Sequence, residues 1–301
     1  LSTLRTFKKI YNYLGKNKTI RGYALKTADN LNIRKNIVRM DVNNFCNVRC
    51  VFCSQFRQEN IHKSNIMSVG DFKKIIDKIH RQTRFLYMSC GYEPLAVPNF
   101  AEYLEYAKSK KIPFISFVTN GLLLKEKIIK SAVDNQIDEI AISFNGFNKE
   151  DYNRLMFKSD YDTVISNIKR LNEYKAEMNS VYPKIRLNCI LMKSNIKDFD
   201  RVIDFLDENK ISVLNFRRLG VYEGQNDSDA VKTEIVEFTP PDKEASEFIK
   251  KYKAYINGRK NSGVEFIAPN MLVKENVPNI SAGGYYRRKK GNAYFRCFRT
   301  G

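Results

Sequence analysis

Between Ile37 and Leu219, short apolar runs of strand character alternate with longer segments of helical period, and this rhythm leaves few folds open. The strand-like runs are Ile37–Val42, Phe85–Met88, Phe114–Val118, Glu139–Phe144, Ile185–Leu191 and Val213–Arg217. The helical segments run from Ser68 through Ile79, Phe100 to Lys108, Leu124 to Asn135, Tyr161 to Met178 and Asp198 to Asn209. Ser68 has the chemistry of an N-cap, and Val164, Ile165, Ile168 and Leu171 mark the apolar face of the fourth helix. Repeated strand–helix units imply an α/β fold with a parallel sheet and helices outside it. Six strands are fewer than the eight that close a barrel.

A second feature lies in the loop after the first strand. Cys46, Cys50 and Cys53 are spaced C-x3-C-x2-C. A closed structural zinc site takes four protein ligands. Three thiolates on a four-iron cubane leave one iron open to a substrate or cofactor, so this loop points to a reactive iron–sulfur site. Zinc completed by His62, the one histidine nearby in sequence, is the competing reading. Cys90 and Cys189 read as small core hydrophobes, and His80 as a helix end where a cation suits the dipole.

Six cysteines with three clustered do not form a secreted disulfide framework. No apolar run reaches membrane-spanning length, and Leu1–Arg5 has no signal pattern. The expected compartment is the cytoplasm, with no membrane partner. The chain lacks a starting Met, so the native protein is expected to be longer. The net charge of +19 suits an anionic partner or a solvated lysine-rich surface. Basic residues are dispersed. Their densest cluster, Tyr285-Tyr286-Arg287-Arg288-Lys289-Lys290, interleaves aromatics and cations as grooves for single-stranded nucleic acid do, and a nucleic-acid partner rests on it alone.

In parallel α/β barrels chemistry gathers at the carboxyl ends of the strands. The polar residues of this chain fall there: the cysteine loop, then Glu93, Thr119 and Asn120, Ser143 and Asn145, Asn188, and Arg217 with Arg218. The loop Cys46–Cys53, with Phe52 before its third cysteine, resembles the cluster motif of the radical S-adenosylmethionine (radical SAM) superfamily. Ser89-Cys90-Gly91-Tyr92-Glu93-Pro94-Leu95 resembles that family's Gly-Gly-Glu-Pro motif, with Tyr92 in place of a glycine. Thr119-Asn120-Gly121 and Ile142-Ser143-Phe144-Asn145-Gly146 resemble its later strand-end motifs.

The resemblance implies a partial (β/α)6 barrel with parallel strands over residues 37–220. An N-terminal extension, 1–36, precedes it. A C-terminal part, 221–301, follows with a helix from Lys243 to Ile256 capped by Asp242 and a small irregular segment from Gly258 onward. It further implies that Cys46, Cys50 and Cys53 ligate a [4Fe–4S] cluster whose open iron takes S-adenosylmethionine. Phe52 would pack near the adenine. Gly91 would bring its backbone close, and Glu93 would accept a hydrogen bond from the methionine amino group. Asn120, Ser143, Asn145, Asn188 and Arg154 are the further cofactor-binding candidates. A reduced cluster would cleave S-adenosylmethionine to a 5′-deoxyadenosyl radical that abstracts hydrogen from substrate, with an electron donor such as flavodoxin or ferredoxin. Cys297 resembles the start of a SPASM- or twitch-type extension cut short here, and would ligate an auxiliary [4Fe–4S] cluster.

The leading expectation is a radical SAM enzyme acting on a small anionic metabolite such as a nucleotide-linked sugar, with Arg217-Arg218 as a phosphate clamp. The alternatives are a radical SAM enzyme that modifies a peptide, one that modifies RNA, and a non-catalytic metal-binding module.

Overall fold

The computed structural model of the chain describes residues 36–53, 64–89, 91–197, 199–218, 238–258, 265–267 and 295–298. His62, Cys90 and the basic cluster 285–290 lie outside these residues, as does nearly all of the N-terminal extension.

Six parallel strands carry the architecture: β1 Asn36–Met40, β2 Thr83–Met88, β3 Phe114–Thr119, β4 Glu139–Ser143, β5 Lys184–Leu191 and β6 Val213–Arg218. They lie side by side in chain order. The helices between them are α1 Val69–Ile79, α2 Phe100–Ser109, α3 Glu126–Asp134, α4 Lys149–Leu155, α5 Tyr161–Glu177 and α6 Phe199–Glu208. Right-handed crossovers between strands laid down in one direction place every connecting helix on the same face of the sheet. The result is an α/β sheet open at both ends, the partial (β/α)6 barrel that the strand count implied.

The helix starts follow local chemistry. Ser68 caps α1, its Oγ accepting from Asp71 N at 3.0 Å. Asn148 caps α4, accepting from Asp151 N at 2.8 Å, and Asp160 caps α5, accepting from Thr163 N at 2.8 Å. Each cap satisfies a donor that the first helical turn leaves open, a contribution of about 1 kcal/mol. His80 closes α1 with its ring Nδ1 3.0–3.1 Å from the carbonyls of Asp77 and Ile76.

Strand alternation divides the sheet into two faces. Val38, Met40, Leu86, Met88, Ile115, Phe117, Ile140, Ile142, Ile185, Leu187, Leu214 and Phe216 are buried in one core with residues of the helices, among them Phe72, Leu104, Ile129, Val164, Ile168 and Leu206. Cys189 lies fully buried in that core, a small hydrophobe as its sequence context suggested. The residues between them, Arg39, Tyr87, Ser116, Glu139, Arg186 and Asn188, belong to the opposite, inner face.

Four elements depart from expectation. The expected C-terminal helix is present as α7 (Asp242–Gly258), but the segment after it is not wholly irregular: it forms β7 (Glu265–Ile267), a seventh parallel strand beside β6. β8 (Phe295–Phe298) then pairs antiparallel with β1 at the other edge. Three- and four-residue strands carry too little periodicity to be seen locally, and it is the exposed sheet edge that orders them. The helix α4 was also missed, being short and polar. α3 starts at Glu126 rather than Leu124, because Lys125 is extended and Leu124 N bonds back to Gly121 O at 3.3 Å.

Gly146 lets α4 fold back onto the end of β4. A Cβ placed there would lie 2.4 Å from Tyr152 N and 2.7 Å from its Cα, and backbone cannot yield as a side chain can. Gly146→Ala is therefore expected to cost about 1–3 kcal/mol by overpacking. Urea unfolding measures this, and an unchanged midpoint would contradict the close approach.

Candidate active site

The loop that follows β1 is shaped by its own polar groups. Arg49 folds back over it, Nη1 donating to the carbonyls of Cys46 at 3.0 Å and Val48 at 3.3 Å. Arg49 N donates to Phe157 O at 2.7 Å and Val51 N to Leu155 O at 3.1 Å, docking the loop on the end of α4. Cys53 N closes a turn onto Cys50 O at 3.0 Å. Cys46, Cys50 and Cys53 emerge half-buried, with no disulfide between them.

Glu93 is the anchor. It is 2% exposed, and its carboxylate accepts from Thr119 Oγ1 at 2.7 Å, Leu95 N at 3.0 Å and Asn120 N at 2.7 Å. Burial pushes its carboxyl up to about 7, against the pull of these three donors. A cationic amine at the same carboxylate would restore its ionised form. The backbone of Glu93 is tied in as well: its N–H donates to Phe45 O at 3.2 Å, and its carbonyl accepts from Asn43 Nδ2 at 2.8 Å.

Asn120 joins this clasp to the cysteines. Its Nδ2 donates to Asn47 Oδ1 at 2.8 Å and lies 3.9 Å from Cys46 Sγ. Gly121, at φ 81°, turns the chain there, in a conformation that favours glycine. In the segment with Tyr92 in place of a glycine, positive φ falls instead on Ser89 (115°), whose Oγ donates to Tyr92 O at 2.7 Å. Gly91 N donates to Asp41 Oδ1 at 3.1 Å.

The remaining candidates divide. Ser143 is half-buried and pairs in register with Asn188, whose Oδ1 accepts from Asn215 Nδ2 at 2.8 Å. Asn145 is buried, accepting from Ile190 N at 2.8 Å and donating to Met156 Sδ at 3.3 Å. Met156 Sδ in turn lies 3.5 Å from Cys50 Sγ. Phe52 packs half-buried against the core. Arg154 is not drawn in: it sits half-exposed on α4, paired with Asp151 at 2.8 Å. Arg217 is exposed at the end of β6, and the side chain of Arg218 lies outside the described residues. Cys297 stands opposite Val38 in the β1–β8 pairing, short of the strand end from which the cysteine loop departs. Its side chain also lies outside the described residues, and with it the auxiliary-cluster expectation.

The donor set fits an iron–sulfur cluster. Burial pushes the Cys50 thiol up strongly, and the charges of Cys53 and Cys46 add to it. Cys46 is raised by burial too, with Glu93 and Cys53 contributing. Three half-buried thiols in one loop are held ionised only by a cationic partner. Among the described residues no three Cys, His, Asp or Glu groups converge on one ion. A cubane asks for no such convergence, since each thiolate meets a different iron.

A family model described as the Radical SAM superfamily matches residues 40–206. This chain belongs to the radical SAM superfamily. The family's enzymes use a [4Fe–4S] cluster and S-adenosylmethionine. Among curated relatives, a probable GTP 3′,8-cyclase of Methanocaldococcus jannaschii is 28% identical over 170 residues, covering 56% of this chain and 54% of the relative. An Fe-coproporphyrin III synthase of Methanosarcina barkeri is 23% identical over 192 residues, covering 64% and 46%. Among solved structures, Streptococcus suis SuiB bound to S-adenosylmethionine shares the fold with TM-score 0.63 and 17% identity, covering 89% of this chain and 61% of SuiB. The radical SAM chain described here thus spans about half the length of the curated relatives it matches. The resemblance carried by the cysteine loop and the Glu93-Pro94 segment is borne out at the level of family and fold. No described helix is long and apolar enough to cross a membrane.

Asn43, Asn47 and Met156 had not stood out in the sequence. The two asparagines lie beside the cysteines in the chain with no spacing that singles them out, and Met156 carries no local signal at all. Asn43 is buried and holds the carbonyls of both Glu93 and Phe45. Asn43→Ala should destabilise the fold by about 1–3 kcal/mol, the cost of leaving buried carbonyls unpaired, and should lower the iron retained after reconstitution. Urea unfolding and an iron assay check this; wild-type values for both would contradict it.

Proposed function

We propose that this chain holds a [4Fe–4S] cluster on Cys46, Cys50 and Cys53 and uses it with S-adenosylmethionine to abstract hydrogen from a small anionic substrate of the nucleotide class. The observation that carries this is the continuous link from the buried Glu93 carboxylate through Asn120 to Cys46. It brings a site for a cationic amine beside three coupled thiols. When bound, the cluster and S-adenosylmethionine supply a one-electron reductive cleavage and a hydrogen-abstracting group, with the electron coming from a donor such as flavodoxin or ferredoxin.

The chain's own residues bind and orient. Glu93 receives the methionine amine, and Thr119 and Leu95 N keep its carboxylate aimed. Asn120 holds the cysteine loop in register with that carboxylate. Phe52 offers an apolar surface for the adenine, and Gly91 a close backbone. Ser143 and Asn188 stand in adjacent strands where ribose hydroxyls or the carboxylate would lie. Asn145 is committed to Ile190 N and Met156, so its role is to brace the wall behind Cys50. Arg154 would reach the carboxylate only by leaving Asp151.

Support for the substrate class comes from the net charge of +19 and from relatives named GTP 3′,8-cyclase. A nucleotide is the form of anionic metabolite that this name favours over a nucleotide-linked sugar.

Anaerobic reconstitution with iron and sulfide, followed by reductant and S-adenosylmethionine, tests the reading. Wild-type protein is expected to yield 5′-deoxyadenosine. Cys50→Ala should abolish it and the cluster absorbance, while Cys189→Ala, in the core, keeps both. A colourless protein that holds zinc, or a cluster that survives loss of Cys50, would overturn the reading.

A further inference from the structure

Met156 is fixed on the cysteine loop by backbone pairing as well as by its side chain. It caps the C-terminus of α4, its N–H donating to Tyr152 O at 2.8 Å, and it is 1% exposed. Arg49 N donates to Phe157 O at 2.7 Å, and Val51 N donates to Leu155 O at 3.1 Å. These two bonds flank one residue on each side, so Cys50 stands opposite Met156. Their sulfurs meet at 3.5 Å.

The other side of the thioether is taken by Asn145. Its Nδ2 donates to Met156 Sδ at 3.3 Å, while its Oδ1 accepts from Ile190 N at 2.8 Å and fixes which way the amide faces. Asn145 is 3% exposed. Met156 therefore stands between a buried amide N–H and the sulfur of Cys50. Cys46 is placed differently, with the Asn120 amide 3.9 Å from its sulfur. One cysteine faces a side-chain N–H donor. The other faces a thioether, which accepts weakly and donates nothing.

With its proton in place, Cys50 donates to Met156 Sδ. On iron that proton is gone, and what remains beside Cys50 is an apolar side chain with no hydrogen to offer. Hydrogen bonds to cluster sulfurs and exposure to solvent are among the factors that set a cluster's potential, and both stabilise an added electron. We propose that Met156 is a positioning residue: it keeps the Asn145 amide and water off the Cys50 sulfur, and so holds the bound cluster at a low reduction potential. A lower potential makes the reduced cluster a stronger one-electron donor, as the free energy of transfer follows the potential difference. This rests on the cluster assignment proposed above.

The test compares wild type with Met156→Leu, Met156→Gln and Met156→Ala after anaerobic reconstitution. The cluster is titrated against potential and followed by electron paramagnetic resonance, without S-adenosylmethionine. Met156→Gln brings an amide donor to Cys50, and Met156→Ala opens space for Asn145 or water. Each should move the potential positive by an amount equivalent to about tenfold in the reduction equilibrium, about 59 mV for one electron. Met156→Leu fills the same space with no donor, so its potential should match wild type. It also leaves the buried Asn145 N–H without its acceptor and should melt at a lower temperature, which separates stability from potential. A wild-type potential in both Met156→Gln and Met156→Ala would overturn the proposal. So would a shift in Met156→Leu as large as that in Met156→Gln, or loss of the cluster in both Met156→Gln and Met156→Ala while Met156→Leu keeps it. Iron content of the wild type tells the two failures apart. Without a cluster the function proposed above falls; with a cluster whose potential ignores the substitutions, this inference falls alone.

Discussion

The site depends on one buried carboxylate. Glu93 sits among the ends of three strands: its side chain takes donors from β3 and from its own turn, and its backbone is bonded to the loop after β1. A charge in that position would be costly without partners. Three donors offset much of the cost, yet the carboxyl remains raised to about 7, a sign that burial still outweighs them. Such a group both fastens three loops together and stays receptive to a positively charged ligand. The cysteine loop inherits its position from this clasp through Asn43, Phe45 and Asn120.

The sheet uses its two faces for different work. The helix side is apolar throughout, and burying each of its larger residues contributes about 1.5–3 kcal/mol. That margin supports an inner side that is polar and partly unrelieved. The Glu139–Arg186 pair shows the balance: a salt bridge 6% and 23% exposed at its two side chains adds little net stability after desolvation. Its geometry, with Ser116 completing the carboxylate, orients a guanidinium instead. Exposed pairs such as Lys149–Asp162 and Lys74–Asp71 are screened by solvent and add little.

Several features are legible in the residues alone. The six strands and five of the helices between them follow from apolar period alone, because alternation and the 3.6-residue repeat are set by near neighbours. Ser68 declared itself as a cap. The C-x3-C-x2-C spacing, with Glu93-Pro94 after the next strand, named the family that residues 40–206 match. The tail was misread as wholly irregular because β7 and β8 are three and four residues long. Their pairing is an edge effect and leaves almost no mark on composition.

The amino-acid sequence by itself determined the order of elements, the buried face of each, and the chemistry of the cysteine loop, since all three are written in residues close together along the chain. Tertiary structure decided which distant polar residues became partners. Asn43 meets Glu93 across 50 positions, Asn120 meets Asn47 across 73, and Met156 meets Cys50 across 106. It also withdrew Arg154 to the surface and set Arg39, Tyr87, Ser116 and Glu139 in one row. Those contacts are fixed by lateral register between strands, and register is a property of the assembled sheet rather than of any segment within it.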